Sequence, residues 1–473
     1  MWYMKVLLVD APYVRVYGPL SGVFSKHPCQ GLMSISAVLK AAGHDVRVID
    51  PETQGLTDED VLGLIRGFQP SIVGVSAMTS NILLAYEVVR LSKRADNRIL
   101  TLIGGYHASA LPERTLMECR ELDAVCVGEG EYAMLELAGG KAPADVAGLV
   151  WRAGDAVMRT VERPLIGDID SLPMPDFDCL PLDQYHPHLH KAKDGKWTTI
   201  ITSRGCPYKC YYCASRIVNK GRFRAHSVNR VMDMIYALKE RGFTYLRVFD
   251  DEFTVDRKRV LDVCDRLVEE KVGIIWDCNS RVNVVDRELL ARMKAAGCIL
   301  VFYGCESGNQ GVLDKICKQI TVEQIVEAFK ATSESGMEAN GSWILGNVWD
   351  TKETIEDTIR LAKRLVPYST QHYFNFALPS PGTRFWDIAV EEGRACYDWS
   401  KYTLQNEPIY VPKSMTREEL MHLMARAHKE VFYSPRFMLN RALRMRSFGE
   451  LKANVKGLYT LTKAMATWGG AGK

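Results

Sequence analysis

Three cysteines, Cys206, Cys210 and Cys213, share the run Arg204-Gly205-Cys206-Pro207-Tyr208-Lys209-Cys210-Tyr211-Tyr212-Cys213. Gaps of three and two residues let one short loop wrap all three thiols around a single metal centre. A four-thiol zinc site would need a second cysteine pair, and none of the ten cysteines outside this loop stands three residues from another. A cubane iron–sulfur cluster has four irons, so three protein thiolates leave one iron open to another ligand. Structural cysteines clustered by chance fit poorly, because a strand-like run, Thr198–Ser203, leads straight into a loop shaped by glycine and proline. The other ten cysteines are isolated and read as small apolar fillers. Of these, Cys278 and Cys305 stand at strand ends beside the expected chemistry.

The elements that must position this loop follow from periodicity. A chain of 473 residues exceeds one ordinary domain. Its 47% apolar and 25% charged residues, with no apolar run near the roughly 18 of a membrane span, exclude disordered, collagenous and transmembrane classes. Residues 1–138 alternate short buried runs (Val6–Val9, Val46–Ile49, Ile72–Val75, Ile99–Ile103, Ala124–Val127) with helix-length stretches, the pattern of a doubly wound parallel sheet. Residues 139–190, with Leu172-Pro173-Met174-Pro175, read as an extended linker. Residues 191–390 repeat the alternation near 197–203, 244–249, 273–279, 299–305, 340–345 and 371–377, a parallel barrel or part of one whose chemistry belongs at the strands' carboxyl ends. Residues 391–473 form a helical, basic tail: 12 Lys and Arg stand against 4 Asp and Glu over 412–473, while the whole chain nets only +3. Cysteine usage and an amino-terminal apolar run too short for a signal segment point to the reducing cytoplasm.

The cysteine loop resembles the signature of the radical S-adenosylmethionine superfamily, Cys-x3-Cys-x-aromatic-Cys after the first strand of a partial (β/α)6 barrel, with Tyr212 in register. The resemblance implies that Cys206, Cys210 and Cys213 hold a 4Fe-4S cluster whose open iron is chelated by S-adenosylmethionine. It further implies that Tyr212 and strand-end residues contact that cofactor: Asp251 or Glu252 near the methionine ammonium, Ser280 and Arg281 at the end of the third strand with the Arg suited to the carboxylate, and Glu306 suited to the ribose hydroxyls. The loop Leu345-Gly346-Asn347-Val348-Trp349-Asp350-Thr351 departs from the Gly-Leu-Pro-Gly-Glu-Thr usual in that superfamily.

In the first domain, Gly104-Gly105-Tyr106-His107-Ala108-Ser109, Pro112-Glu113 and Gly128-Glu129-Gly130-Glu131 are similar to motifs of the cobalamin-binding members of this superfamily. By that resemblance Ser76, Thr79, Gly104, Gly105, His107, Gly128 and Glu129 would contact cobalamin. The Asp-x-His-x-x-Gly motif is absent, so no histidine ligand below the cobalt is expected; His27 and Cys29 in the first loop are the alternatives.

The implied activity is methylation of an unactivated carbon of a small-molecule, lipid or tetrapyrrole-type substrate through a 5'-deoxyadenosyl radical and methylcobalamin, fed by an external electron donor such as flavodoxin or ferredoxin. Radical oxidation, cyclisation or carbon-carbon coupling without methyl transfer is the alternative within the fold, and a corrinoid- or cluster-binding sensor the alternative of another class. No nucleic-acid module is recognisable. The basic tail, where Arg436, Arg441, Arg444, Arg446, Lys452, Lys456 and Lys463 interleave with Phe437, Leu458, Tyr459 and Trp468, fits either a solvated helical cap or peripheral membrane contact.

Overall fold

The computed structural model describes residues 3–13, 26–187, 195–402 and 407–444. Its first sheet has seven strands in the order β2-β1-β3-β4-β5-β6-β7. Strands β1 (Lys5–Asp10), β2 (Asp45–Ile49), β3 (Ile72–Ser76), β4 (Leu100–Gly104) and β5 (Ala124–Cys126) run parallel, with Val6 opposite both Val46 and Ile72. Val6 to Val9 are buried throughout, as a parallel strand covered on both faces requires.

The expected linker is partly a sheet element. Leu149–Ala153 (β6) and Ala156–Arg159 (β7) form a hairpin joined at Gly154, whose φ is +62°, and β6 pairs antiparallel to β5, widening the first sheet. Further on, Asp176 accepts from Ser36 Oγ at 2.5 Å and pairs with Lys40 at 2.8 Å, and Tyr185 OH donates to Asp50 at 2.8 Å. The connector is thereby fastened along the first domain.

The second sheet has six parallel strands in chain order: β8 (Lys196–Ile200), β11 (Phe243–Val248), β12 (Ile275–Ser280), β13 (Cys298–Glu306), β14 (Glu338–Leu345) and β15 (Gln371–Phe376). The end strands β8 and β15 do not pair with each other, so it is a half-barrel. Between β8 and β11 a two-stranded ribbon, β9 (Ser203–Arg204) with β10 (Arg224–Ala225), frames the cysteine loop. Helices separate the strands and cover the outer face; Val228–Glu240 and Arg257–Glu269 are capped by the Ser227 and Asp256 side chains.

The tail begins as predicted, with helices Arg417–Phe432 and Pro435–Arg444. Arg446, Lys452, Lys456, Leu458, Tyr459, Lys463 and Trp468 lie outside the described residues. Among the described residues no helix is long and apolar enough to cross a membrane.

Candidate active site

The cysteine loop is held from three directions. Gly205 adopts φ +84°, and a Cβ there would collide with the Arg222 carbonyl. Asp251, just past β11, accepts from Gly205 N–H at 3.0 Å, Ser215 Oγ at 2.8 Å and Asn219 Nδ2 at 3.3 Å. On the far side Tyr211 N–H donates to the Ile316 carbonyl at 3.1 Å. Asp251 thus pins the loop through Oδ2. Asp250 is also structural, accepting from Thr202 N–H at 2.6 Å and Ser203 Oγ at 2.5 Å.

All three thiols are free. Burial, and to a smaller degree the neighbouring thiols, push Cys206 up to about 11 and Cys213 up to about 12, so they stay protonated until a strong positive charge arrives. Among the described residues no three His, Cys, Asp or Glu side chains converge as a single-ion site would. Three thiols supplied by one loop fit a polynuclear centre with one open position.

Beside the loop lies a second row of groups. The Lys318 ammonium donates to Glu306 Oε1 at 2.8 Å and to Tyr212 OH at 3.4 Å, and both members of the ion pair are buried. Burial would lower the Lys318 pKa, but the Glu306 and Cys210 charges outweigh it and hold it raised. Gly304 leaves room for the pair: a Cβ there would stand 2.5 Å from Glu306 Oε1 and 2.8 Å from Lys318 Nζ. Glu252 accepts from Thr254 Oγ1 at 2.6 Å, and burial raises its pKa; Thr254 in turn pairs with Ser280 Oγ at 2.6 Å. Ser280 is therefore engaged inside the protein. Tyr212, Glu252, Arg281 and Glu306 do gather around the loop.

The divergent loop after β14 is organised by Asp350, which accepts from Gly346 N–H at 3.0 Å and Asn347 N–H at 2.8 Å. Burial pushes Asp350 up to about 6. Asn347 Oδ1 accepts from Tyr211 OH at 3.0 Å, tying this turn to the cysteine loop.

The carboxyl ends of β3, β4 and β5 face the same junction. Gly105 has φ +103°, and a Cβ would run into the Ala77 carbonyl, so the β4 and β3 loops touch backbone to backbone. Ser76 accepts from Cys29 Sγ at 3.6 Å, and Gly128 N–H donates to Ser109 Oγ at 3.0 Å. Met78 is exposed on the rim. A glycine-rich backbone edge with hydroxyls fits a bulky ligand held largely through the main chain. Burial and the neighbouring Asp10 push the Cys29 thiol up to about 12, and His27 stacks on Phe249 with centroids 4.8 Å apart.

Two residues assigned to cobalamin are engaged at the domain interface. His107 is wholly buried, its Nδ1 paired with Thr79 Oγ1 at 3.2 Å and its ring edge-on to Trp399 at 4.8 Å. It packs the first domain against the segment after the barrel. Glu129 accepts from Arg204 at 2.8 Å, from Arg224 at 2.9 Å and from Ile166 N–H at 2.8 Å, leaving its carboxylate no face for a ligand. The reason in both cases is the domain interface, which a motif read one domain at a time does not reveal. Tyr106 opens the short helix Tyr106–Ala110, which packs against Ser215–Asn219, the helix that follows the cysteine loop, and burial raises the Tyr106 pKa.

Sequence reasoning missed Lys318, Tyr208, Arg204 and Arg224. Only the last two carried a signal, as arginines flanking the loop.

Residues 21–138 match the family model described as B12 binding domain, and residues 200–362 match Radical SAM superfamily. An uncharacterized methyltransferase of Pyrococcus horikoshii is 34% identical over 465 residues, covering 97% of this chain and 98% of the relative. The anaerobic magnesium-protoporphyrin IX monomethyl ester cyclase of Rubrivivax gelatinosus is 29% identical over 475 residues, covering 98% of this chain and 82% of that protein. The structure of the radical S-adenosylmethionine methyltransferase TsrM from Kitasatospora setae, with cobalamin and a [4Fe-4S] cluster bound, superposes with a TM-score of 0.73 at 16% identity, covering 98% of this chain and 99% of TsrM.

Proposed function

Because this chain belongs to the cobalamin-binding radical S-adenosylmethionine enzymes, we propose that it methylates an unactivated carbon of a small-molecule or lipid substrate. Cys206, Cys210 and Cys213 would hold a 4Fe-4S cluster, and the sheet edge at Ser76, Thr79, Gly104 and Gly105 would hold the corrinoid. Bound together, these cofactors and S-adenosylmethionine supply a carbon-centred radical and a transferable methyl group.

The observation that carries this reading is the junction itself. The helix Tyr106–Ala110, from the glycine motif of the first domain, packs against Ser215–Asn219 just past the cysteine loop, and Glu129 and Glu131 anchor the ribbon that frames that loop. Such an arrangement brings two cofactor sites to one interface, and in this chemistry convergence of the reacting atoms does most of the work. The chain's own residues hold the loop (Asp251, Gly205), and the buried groups beside it (Glu252, Glu306, Lys318) would orient S-adenosylmethionine and exclude water. An external one-electron donor such as flavodoxin or ferredoxin completes the requirement.

Oxidative cyclisation is the second reading, supported by the likeness to the Rubrivivax cyclase. Anaerobic reconstitution with cobalamin, S-adenosylmethionine and candidate substrates separates the two. Near-equal S-adenosylhomocysteine and 5'-deoxyadenosine indicates methylation, and 5'-deoxyadenosine alone indicates cyclisation or coupling. Neither product from a protein with an intact cluster would leave a sensor, and failure to retain corrinoid would sink the two-cofactor reading.

A further inference from the structure

Arg281 stands at the end of β12, where a contact with the carboxylate of S-adenosylmethionine was expected, yet its guanidinium is walled in. Nη1 lies 3.6 Å from Cys210 Sγ, Nη2 donates to the Lys318 carbonyl, and Nε donates to Asn283 Oδ1 at 3.2 Å. The Tyr208 ring covers its face at 3.6 Å, and only 4% of the residue is exposed. Carbonyl, amide and ring hold the guanidinium independently of the thiol, so its aim at Cys210 is built into the fold.

The backbone around it is also unusual. The described residues contain six non-glycine residues with positive φ, and three of them, Glu306 at +65°, Cys317 at +55° and Gln319 at +57°, are here. The latter two flank Lys318, turning its carbonyl to Arg281 while its ammonium reaches Glu306. Strained, non-glycine backbone persists where surrounding structure over-determines it, commonly at functional sites.

We propose that Arg281 is a positioning residue for the cluster, donating to the Cys210 thiolate and thereby raising the potential at which the cluster accepts an electron. This inference rests on the cluster assignment made above. A cation and a hydrogen bond on a cluster thiolate stabilise the reduced, more negative state over the oxidised one. The step is uptake of one electron from an external low-potential donor, with no bond made or broken. Lys318, fixed by Glu306, adds a second buried cation against Tyr212 of the same loop.

The test is EPR-monitored reduction of the anaerobically reconstituted holoenzyme at set potentials, without S-adenosylmethionine so that cofactor contacts do not contribute. Arg281→Gln is expected to lower the equilibrium constant for reduction roughly tenfold, which is about 59 mV for one electron. Arg281→Lys, which keeps the charge and loses the planar fork, is expected to shift it less in the same direction. If Arg281→Gln takes up no cluster, the lysine variant decides alone. An unchanged potential in a variant of wild-type iron and sulfide content overturns the proposal, whatever happens to S-adenosylmethionine affinity. If the wild-type protein itself binds no cluster, the functional reading fails instead.

Discussion

Arg204, two residues before the first cysteine of the loop, donates to Glu131 at 2.7 Å across the boundary between the two sheets. Glu131 is buried and also accepts from Ser34 Oγ at 2.8 Å. Burial alone would raise its pKa, but the Arg204 charge and hydrogen bonds hold it below the ordinary value. With Glu129 and Arg224 the pair forms a four-charge junction, so removing one carboxylate leaves a guanidinium poorly matched in a half-dry interface. Glu131→Ala is predicted to cost about 3 kcal/mol, the lower end for breaking a buried pair. A denaturant midpoint unchanged from wild type would contradict this role.

Cys210→Ala is predicted to abolish cluster assembly and leave corrinoid uptake in place, because the proposed corrinoid edge is built from β3, β4 and β5 and the thiols from the loop that the β9–β10 ribbon frames. Iron and sulfide content after anaerobic reconstitution, beside the corrinoid absorbance of the same sample, provides the check. Loss of both cofactors would mean that the junction folds only around the cluster.

What was legible in the sequence had local signals. Parallel strands covered on both faces read as apolar runs, and three thiols in one loop are adjacent by spacing alone. The hairpin of β6 and β7 was not legible because Ala156–Arg159 is a mostly exposed edge strand with nothing to impose alternation. Lys318 was hidden because its partner Tyr212 lies 106 residues away and the turn that presents it uses Cys317 and Gln319 in conformations usually given to glycine. Glu129 and His107 stood out in the motifs, but their contacts at the domain interface did not. Their partners Arg204 and Trp399 belong to another part of the chain.

Gly105 and Gly128 both have positive φ, but only Gly105 is sterically closed, so the two separate backbone strain from collision. Gly128→Ala is predicted to cost about 1 kcal/mol, from conformation alone. Gly105→Ala must also push the β4 loop off the Ala77 carbonyl; it is predicted to cost on the order of 3 kcal/mol and to weaken corrinoid retention through gel filtration. Equal costs for the two would show that the β3–β4 contact yields easily.

His107 makes stability depend on pH in a definite direction. Burial, aided by the Arg114 charge, lowers its pKa to about 4 from the ordinary 6.5, so the folded protein holds it neutral while the unfolded chain protonates it. The stabilisation is complete above pH 6.5 and is lost as pH falls toward 4, because over that window the unfolded state binds more protons. At pH 5 one such imidazole accounts for a loss of roughly 2 kcal/mol relative to pH 7.5. His428, also lowered to about 4, adds a slope of the same sign. His107→Gln can keep a hydrogen bond to Thr79 and cannot titrate, so its urea midpoint should fall less than that of wild type between pH 7.5 and pH 5. A variant with the undiminished wild-type slope would place the acid sensitivity elsewhere and leave the Trp399 contact as simple packing.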